Sequence, residues 1–236
     1  MNIPERIFIV PYRDREAFKN ILIEKLSTYL KDENNWEIYF SHQNDTRPFN
    51  RGATKNIGFL AMKTKYPNHY KDITFIFHDV DTYPTEKGLI DYNTTDGVVK
   101  HFYGFEFALG GMFAIKGKDF EKIKGFPNFW GWGLEDNVIQ EKCITNNIRI
   151  DRTNFFKIGD KKIYQNKDEI YRVASKDEPA IYKYKRYDDI TYIKSLNYKI
   201  NNNMININNF TVKYNHNDLD LYQRNQITSG NKIYIL

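Results

Sequence analysis

"ITFIFHDVDTYP", Ile73 to Pro84, decides the fold. A short, almost unbroken apolar run that ends in acids reads as a strand buried on both faces, the kind that helices cover on each side. Upstream, "RIFIVPYR" from Arg6 and "WEIYFSH" from Trp36 read as two further short strands. Between them, "REAFKNILIEKLSTYLK" carries Phe18, Ile21, Leu22, Leu26, Tyr29 and Leu30 at the spacing of an amphipathic helix. "NRGATKNIGFLAMKTKY" from Asn50 reads as a second helix. Strand, helix, strand, helix, strand predicts an α/β fold with a parallel sheet and ligands at the carboxyl ends of its strands.

Downstream, "GGMFAIK" from Gly110 predicts another strand, "GKDFEKIKG" a short helix and "LEDNVIQEKCITNN" a longer one. Beyond Asp160 the periodicity weakens, and the expectation is irregular structure with a few strands. The asparagine-rich "NNNMININNF" reads as the codon bias of an AT-rich genome. No repeat or linker divides the chain, so a single domain over 1–236 is expected.

Hydrophobic residues at 41% and aromatics at 16% exclude a disordered chain. The net charge of +5 is spread among acids, with no run of five basic residues, which argues against a nucleic-acid partner. No apolar run approaches the roughly 20 residues of a membrane span. "MNIPERIFIVPYRDRE" ends in charge rather than a cleavage site, so it reads as a first strand. The lone Cys143 cannot form an intrachain disulfide and fits a reducing compartment. A soluble cytoplasmic protein is expected.

Asp79 and Asp81 fall at the carboxyl end of the third strand, flanking Val80. Paired carboxylates at such a mouth suit a hard divalent cation that clamps a diphosphate. Arg13 and Arg15 end the first strand and Arg51 follows the second, where guanidinium groups are placed to bind phosphate. Phe49 either faces a base or packs in the core, and His78 is either a packed histidine or part of the site. "GFPNFWGWGLED", Gly125 to Asp136, sets tryptophans and glycines ahead of Glu135 and Asp136. One reading is a loop packed on a helix start; the other is a sugar site, with indole faces on sugar rings and a carboxylate as general base.

In this order and spacing, "VPYRDRE", "FNRGATKNIGF", "FHDVDTYP" and "GGMFAIKGKDFEKIKGFPNFWGWGLEDN" resemble the β-1,4-galactosyltransferases and their N-acetylgalactosaminyl and xylosylprotein galactosyl relatives. The likeness runs from about Arg6 to Asp160. It implies a GT-A fold: a mixed central sheet with a Rossmann-like nucleotide-sugar half over about 1–100 and an acceptor and catalytic half over about 101–236. It implies inverting transfer of a hexose or N-acetylhexosamine from a UDP-sugar donor to a carbohydrate acceptor, with Mn²⁺. Pro11, Arg13, Arg15, Phe49 and Arg51 would hold the uridine diphosphate. Asp79, Val80 and Gly111 would lie at the donor, and Asp81 would ligate the metal. Trp132 would close over donor and acceptor, Glu135 would bind sugar hydroxyls and Asp136 would be the base. In "KRYDDI", Arg186, Tyr187 and Ile190 resemble an acceptor-pocket stretch, or are a segment packed on the core.

Two departures accompany the likeness. The family's metal-binding histidine has no counterpart in "RIDRTNFFKIGDKK". Either Asp81 holds the metal with diphosphate and water, or His216 reaches in, or Lys157 substitutes its charge. A family tyrosine before the paired glycines is Ala108 here, which leaves room for a 2-acetamido donor. The alternative to an enzyme is a catalytically retired carbohydrate- or nucleotide-sugar-binding protein of the same fold.

Overall fold

The structure is a computed structural model and describes residues 2–33, 35–166 and 172–224. The three predicted strands are β1 (Arg6–Tyr12), β2 (Trp36–Gln43) and β3 (Thr74–His78), joined by helices α1 (Glu16–Tyr29) and α2 (Arg51–Lys65). β1 lies between β2 and β3 and pairs in parallel with both. Pro11, which has no N–H to give a ladder, falls where β3 has already left β1 and only β2 runs alongside.

Alternation along β1 divides the core into two layers. Ile7 and Ile9 face the cluster under α2, with Ile57, Phe59, Phe75 and Phe77. Phe8 and Val10 face the cluster under α1, with Leu22, Leu26, Phe40 and Ile76. Helices on both faces bury the sheet, which explains the near-continuous apolar runs.

After β3 the sheet is no longer parallel. The short β4 (Thr82–Pro84) leads to β5 (Val98–Gly104) and β6 (Met112–Lys116), which pair antiparallel, and β6 also lies antiparallel to β3. α3 (Gly117–Lys122) and α4 (Glu135–Thr145) follow, then β7 (Arg149–Asp151) and β8 (Phe156–Lys157), both parallel to β5. The parallel pairing expected of the first three strands holds for β1, β2 and β3, and the sheet as a whole is mixed, as the family resemblance implied.

The region beyond Asp160 holds more order than its periodicity predicted. β9 (Ile163–Gln165) pairs β4, β10 (Arg172–Ser175) pairs β13 (Leu221–Arg224), and α5 (Glu178–Lys183) lies between. A hairpin of β11 (Lys194–Asn201) and β12 (Met204–Thr211) extends the main sheet, with β12 parallel to β2. The main order is β11-β12-β2-β1-β3-β6-β5-β7. "NNNMININNF" is that hairpin's turn and inner strand. Ile205, Ile207 and Phe210 are buried, and Asn202 turns the chain at φ 53°. No helix among the described residues is long and apolar enough to cross a membrane.

The start of α2 is packed hard against the segment that precedes Trp130. A Cβ on Gly52 would lie 2.0 Å from the Pro127 carbonyl oxygen. Gly52→Ala is expected to destabilise the fold by about 1–3 kcal/mol, as overpacking does. Urea denaturation checks this: a lower midpoint with an unchanged slope is expected, and a wild-type midpoint would contradict the close approach.

Candidate active site

A cavity of about 600 Å³ opens at the carboxyl edge of β1 and β3. Pro11, Arg13 and Arg15 enter it from the end of β1, and Phe49 and Arg51 from the turn into α2. Asp79, Val80 and Asp81 leave β3 into it, and Gly111, Trp132 and Asp136 close the far side. The residues expected around a donor are thus brought together from five separate stretches of chain.

Arg51 lies at their centre because α2 begins at a fixed point. Asn50 is buried, its side chain accepts from the Ala53 N–H at 2.8 Å, and its Nδ2 donates to the Asn128 carbonyl at 2.9 Å. Arg51 then ion-pairs with Asp79 through Nη2, while Nη1 reaches Glu135 Oε1 at 2.7 Å and Asp136 Oδ2 at 3.0 Å. Burial works against this guanidinium's charge, but the three carboxylates outweigh it and hold the proton tightly.

Glu135 and Asp136 open α4, where the positive helix end favours acids. Their environments push them apart. Glu135 is 2% exposed, its Oε2 has no hydrogen-bond partner, and burial followed by the charge of Asp136 raises its carboxyl. Burial also works to raise Asp136, but Lys55 and Arg51 outweigh it and hold this carboxyl below its ordinary value. Gly110 permits the placement, since a Cβ there would meet Asp136 Oδ2 at 2.3 Å.

The other acids and arginines divide their work. Asp81 is pushed up to about 6 by burial and then by Asp79, with Arg15 at 3.7 Å. Arg13 spends its donors on the loop after β2, bonding the carbonyls of Gln43, Asp45 and Arg47 at 3.2, 3.0 and 2.7 Å, and lies over the Phe49 ring. His78 is a packed histidine: burial lowers it to about 4, and Nδ1 lies 2.7 Å from the Asp79 carbonyl oxygen.

The two tryptophans of the stretch before Glu135 have different fates. Trp130 is buried, stacks on Phe210 and donates from Nε1 to the Tyr214 carbonyl at 2.8 Å. Trp132 is 42% exposed and lines the cavity, its N–H donating to the Val173 carbonyl at 2.6 Å. Glu178 clamps the loop between them, Oε1 accepting from Trp130 N–H at 2.7 Å and Oε2 from Gly131 N–H at 2.9 Å.

Five expected contributors lie elsewhere. His216 packs on the Trp130 ring at 5.0 Å, and Lys157 pairs with Glu106 at 3.0 Å. Among the described residues, no three His, Cys, Asp or Glu side chains gather as a metal cluster. Arg186, Tyr187 and Ile190 do not line the cavity: the Arg186 guanidinium lies over Tyr184, Tyr187 meets Phe129 edge-on, and Ile190 packs against the core. Sequence reasoning missed Lys55, Arg172 and Glu178. Lys55 alone had a visible signal, a lysine one helical turn after Arg51 on the face that α2 buries.

Family profiles match this frame. The N-terminal region of glycosyl transferase group 7 matches residues 4–93, and the N-terminal domain of galactosyltransferase matches residues 99–167. The chain belongs to the β-1,4-galactosyltransferase family. Beta-1,4-galactosyltransferase 4 of Cricetulus griseus is 32% identical over 161 residues, covering 62% of this chain and 44% of that protein. The xylosylprotein 4-beta-galactosyltransferase of Caenorhabditis elegans is 28% identical over 156 residues, covering 62% and 52%. The chain thus spans about half the length of these relatives. The catalytic domain of Drosophila β1,4-galactosyltransferase 7, solved with xylobiose, superposes with a TM-score of 0.68 at 17% identity, covering 91% of this chain and 97% of that one. A mutant of the same enzyme, solved with manganese, UDP-Gal and xylobiose, gives 0.67 at 16% identity, covering 91% and 97%. The galactosyltransferase fold of these structures, GT-A, is the fold of this chain.

The Glu178 clamp makes a pH prediction. Burial, more than its backbone bonds can offset, pushes this carboxyl up from 4.5 to about 7. A carboxyl that holds its proton more tightly when folded stabilises fully below its unfolded value, and that contribution is lost as the pH rises toward about 7. His78 and His101, both lowered to about 4 by burial, act in the opposite sense, so wild type alone is ambiguous. The comparison with Glu178→Gln isolates the group. The variant is expected to gain in melting temperature relative to wild type between pH 4.5 and 7.5, and parallel curves would contradict it.

Proposed function

We propose that this protein is an inverting glycosyltransferase that moves a sugar from a UDP-sugar to a carbohydrate hydroxyl, with Asp136 as the base. One observation carries the reading: two adjacent carboxylates, one held ionised and one raised, open a helix at a cavity that also holds arginines and the Asp79–Asp81 pair. Titratable neighbours pushed apart by their surroundings are the mark of divided acid–base roles. The ligands named for the Drosophila structures, UDP-Gal, manganese and xylobiose, have the chemistry this cavity suits.

In this reading the uridine lies against Pro11 and Phe49, and Arg15 and Arg51 meet the diphosphate. The acceptor ring lies against Trp132 and the exposed Phe105, which stacks on Phe107 at 5.1 Å. The acceptor hydroxyl gives its proton to Asp136 as its oxygen attacks the anomeric carbon from the face opposite the diphosphate. The glycosidic bond to UDP breaks, its electron pair leaves with the phosphate oxygen, and the anomeric configuration inverts. Trp132 shields the reacting carbon from water.

A divalent cation fits the Asp79–Asp81 mouth as a partial protein site. Asp81 is a buried oxygen donor pressed by a second negative charge, and a hard ion in such a place takes its other ligands from phosphate and water. When bound, it would neutralise charge on the departing diphosphate. Mn²⁺ held by Asp81 without a histidine is the arrangement these residues support.

A UDP-release assay over UDP-galactose, UDP-glucose and UDP-N-acetylgalactosamine, with and without Mn²⁺, tests the function. Asp136→Asn is expected to slow transfer by roughly two to four orders of magnitude with UDP affinity retained. UDP binding with no release from any donor would favour the retired binding protein.

Donor choice is the finer proposal. Ala108 lines the cavity, so a 2-acetamido donor is expected to be used at least as well as UDP-galactose. Ala108→Tyr should shift the ratio of kcat/KM toward the unsubstituted sugar by about ten- to two-hundredfold. Paired-donor competition reads that ratio, and a wild type that ignores every acetamido donor would contradict it.

A further inference from the structure

Lys55 is a buried charge for which the donor site as described has no use. It is 1% exposed, and its ammonium lies 3.1 Å from Asp136 Oδ1 and over the Phe126 ring at 4.4 Å. An ammonium withdrawn from water this far is costly unless paired. Its position on α2 places it beside the base rather than beside the cavity mouth: Asp136 lines the cavity, and Lys55 stands behind it.

The division of the carboxylate between its two cations is informative. Asp136 Oδ1 takes Lys55, and Oδ2 takes Arg51. Arg51 also serves Asp79 and Glu135, so it is one cation shared by three acids. A diphosphate entering the cavity competes for the guanidinium, because bidentate pairing with phosphate is among the strongest bonds arginine makes. Once Arg51 turns toward phosphate, Asp136 keeps one of its two cations.

We propose that Lys55 is a positioning residue, which holds Asp136 by Oδ1 and keeps it ionised while the donor draws on Arg51, leaving Oδ2 for the acceptor's proton. The proposal rests on the reading of Asp136 as the base. Lys55 gives up no proton in the step: the hydroxyl proton passes to Oδ2, and the ammonium stays charged on Oδ1. Among the described residues, the charged and titratable groups that interact with Asp136 are Arg51 and Lys55 from α2, Glu135 on its own helix and His101 from β5. Of these, Arg51 and Lys55 are the two that favour its ionised form.

The test reads the carboxyl directly as well as the reaction. In ¹³C-aspartate-labelled protein, the Asp136 signal is assigned by its loss in Asp136→Asn and titrated with and without UDP. Lys55→Met is expected to move that titration upward by about one pH unit or more, a tenfold or greater change in proton affinity, with the larger shift when UDP is bound. The acid limb of kcat/KM should move with it, UDP affinity should hold, and Lys55→Arg should restore the limb. Lys55→Gln, which keeps a polar end without charge, serves if the methionine variant does not fold, and the same shift is expected. An Asp136 titration unmoved in the uncharged variant overturns the proposal, whatever the turnover. If Asp136→Asn turns over like wild type, the base reading falls and this proposal falls with it; if only the titration stays put, the base reading stands alone.

Discussion

The ion pairing of Arg51 with Asp79, Glu135 and Asp136 is the interaction on which the rest of the site depends. Three carboxylates at one sheet edge repel, and burial makes each charge harder to hold. A single guanidinium, fixed at the first turn of α2 by the Asn50 cap, joins the end of β3 to the start of α4. Lys55, one turn further along, supplies the second positive charge. Removing one member of such a cluster leaves the others unpaired, which is why its parts cannot vary independently.

The loop ahead of Glu135 is held with similar economy. Asn128 is bonded by Asn50, which caps α2, by Asn56 within that helix and by Asp188 from the C-terminal region. Glu178 takes the next free backbone N–H groups, and Val173 takes that of Trp132. The segment after Asp160 therefore acts as a brace. It fixes Trp130 in the core, so that Trp132 is carried to the cavity on a loop whose base is bolted down.

The first three strands and both helices were legible because each is a single unmixed pattern: apolar runs for strands buried on both faces, a 3.6 period for α1. The places of Asp79, Asp81 and Asp136 at the cavity were legible because the first two follow an apolar strand and the third opens a helix after a glycine-rich stretch. The antiparallel turn at β6 was not, since nothing in "GGMFAIK" states its direction. The β11–β12 hairpin was hidden because asparagine fills the outward positions that usually carry more varied polar residues. Ile205 and Ile207 still alternate as a strand requires. Arg186, Tyr187 and Ile190 read in one dimension either as a pocket stretch or as a packed segment, and in space Tyr187 meets Phe129 edge-on while Ile190 packs against the core. Glu178 was invisible because its partners are backbone N–H groups, which any sequence provides.

The central claim is that this edge binds a nucleotide diphosphate through Arg51. Calorimetric titration of UDP, with Mn²⁺ present, into wild type and Arg51→Gln tests it most directly, with melting curves showing that both are folded. One saturable site is expected in wild type, with at least a tenfold loss of affinity in the variant, about the 1.4 kcal/mol or more of a charge-assisted bond. Equal affinity in the two folded proteins, or no UDP binding by wild type, would contradict it.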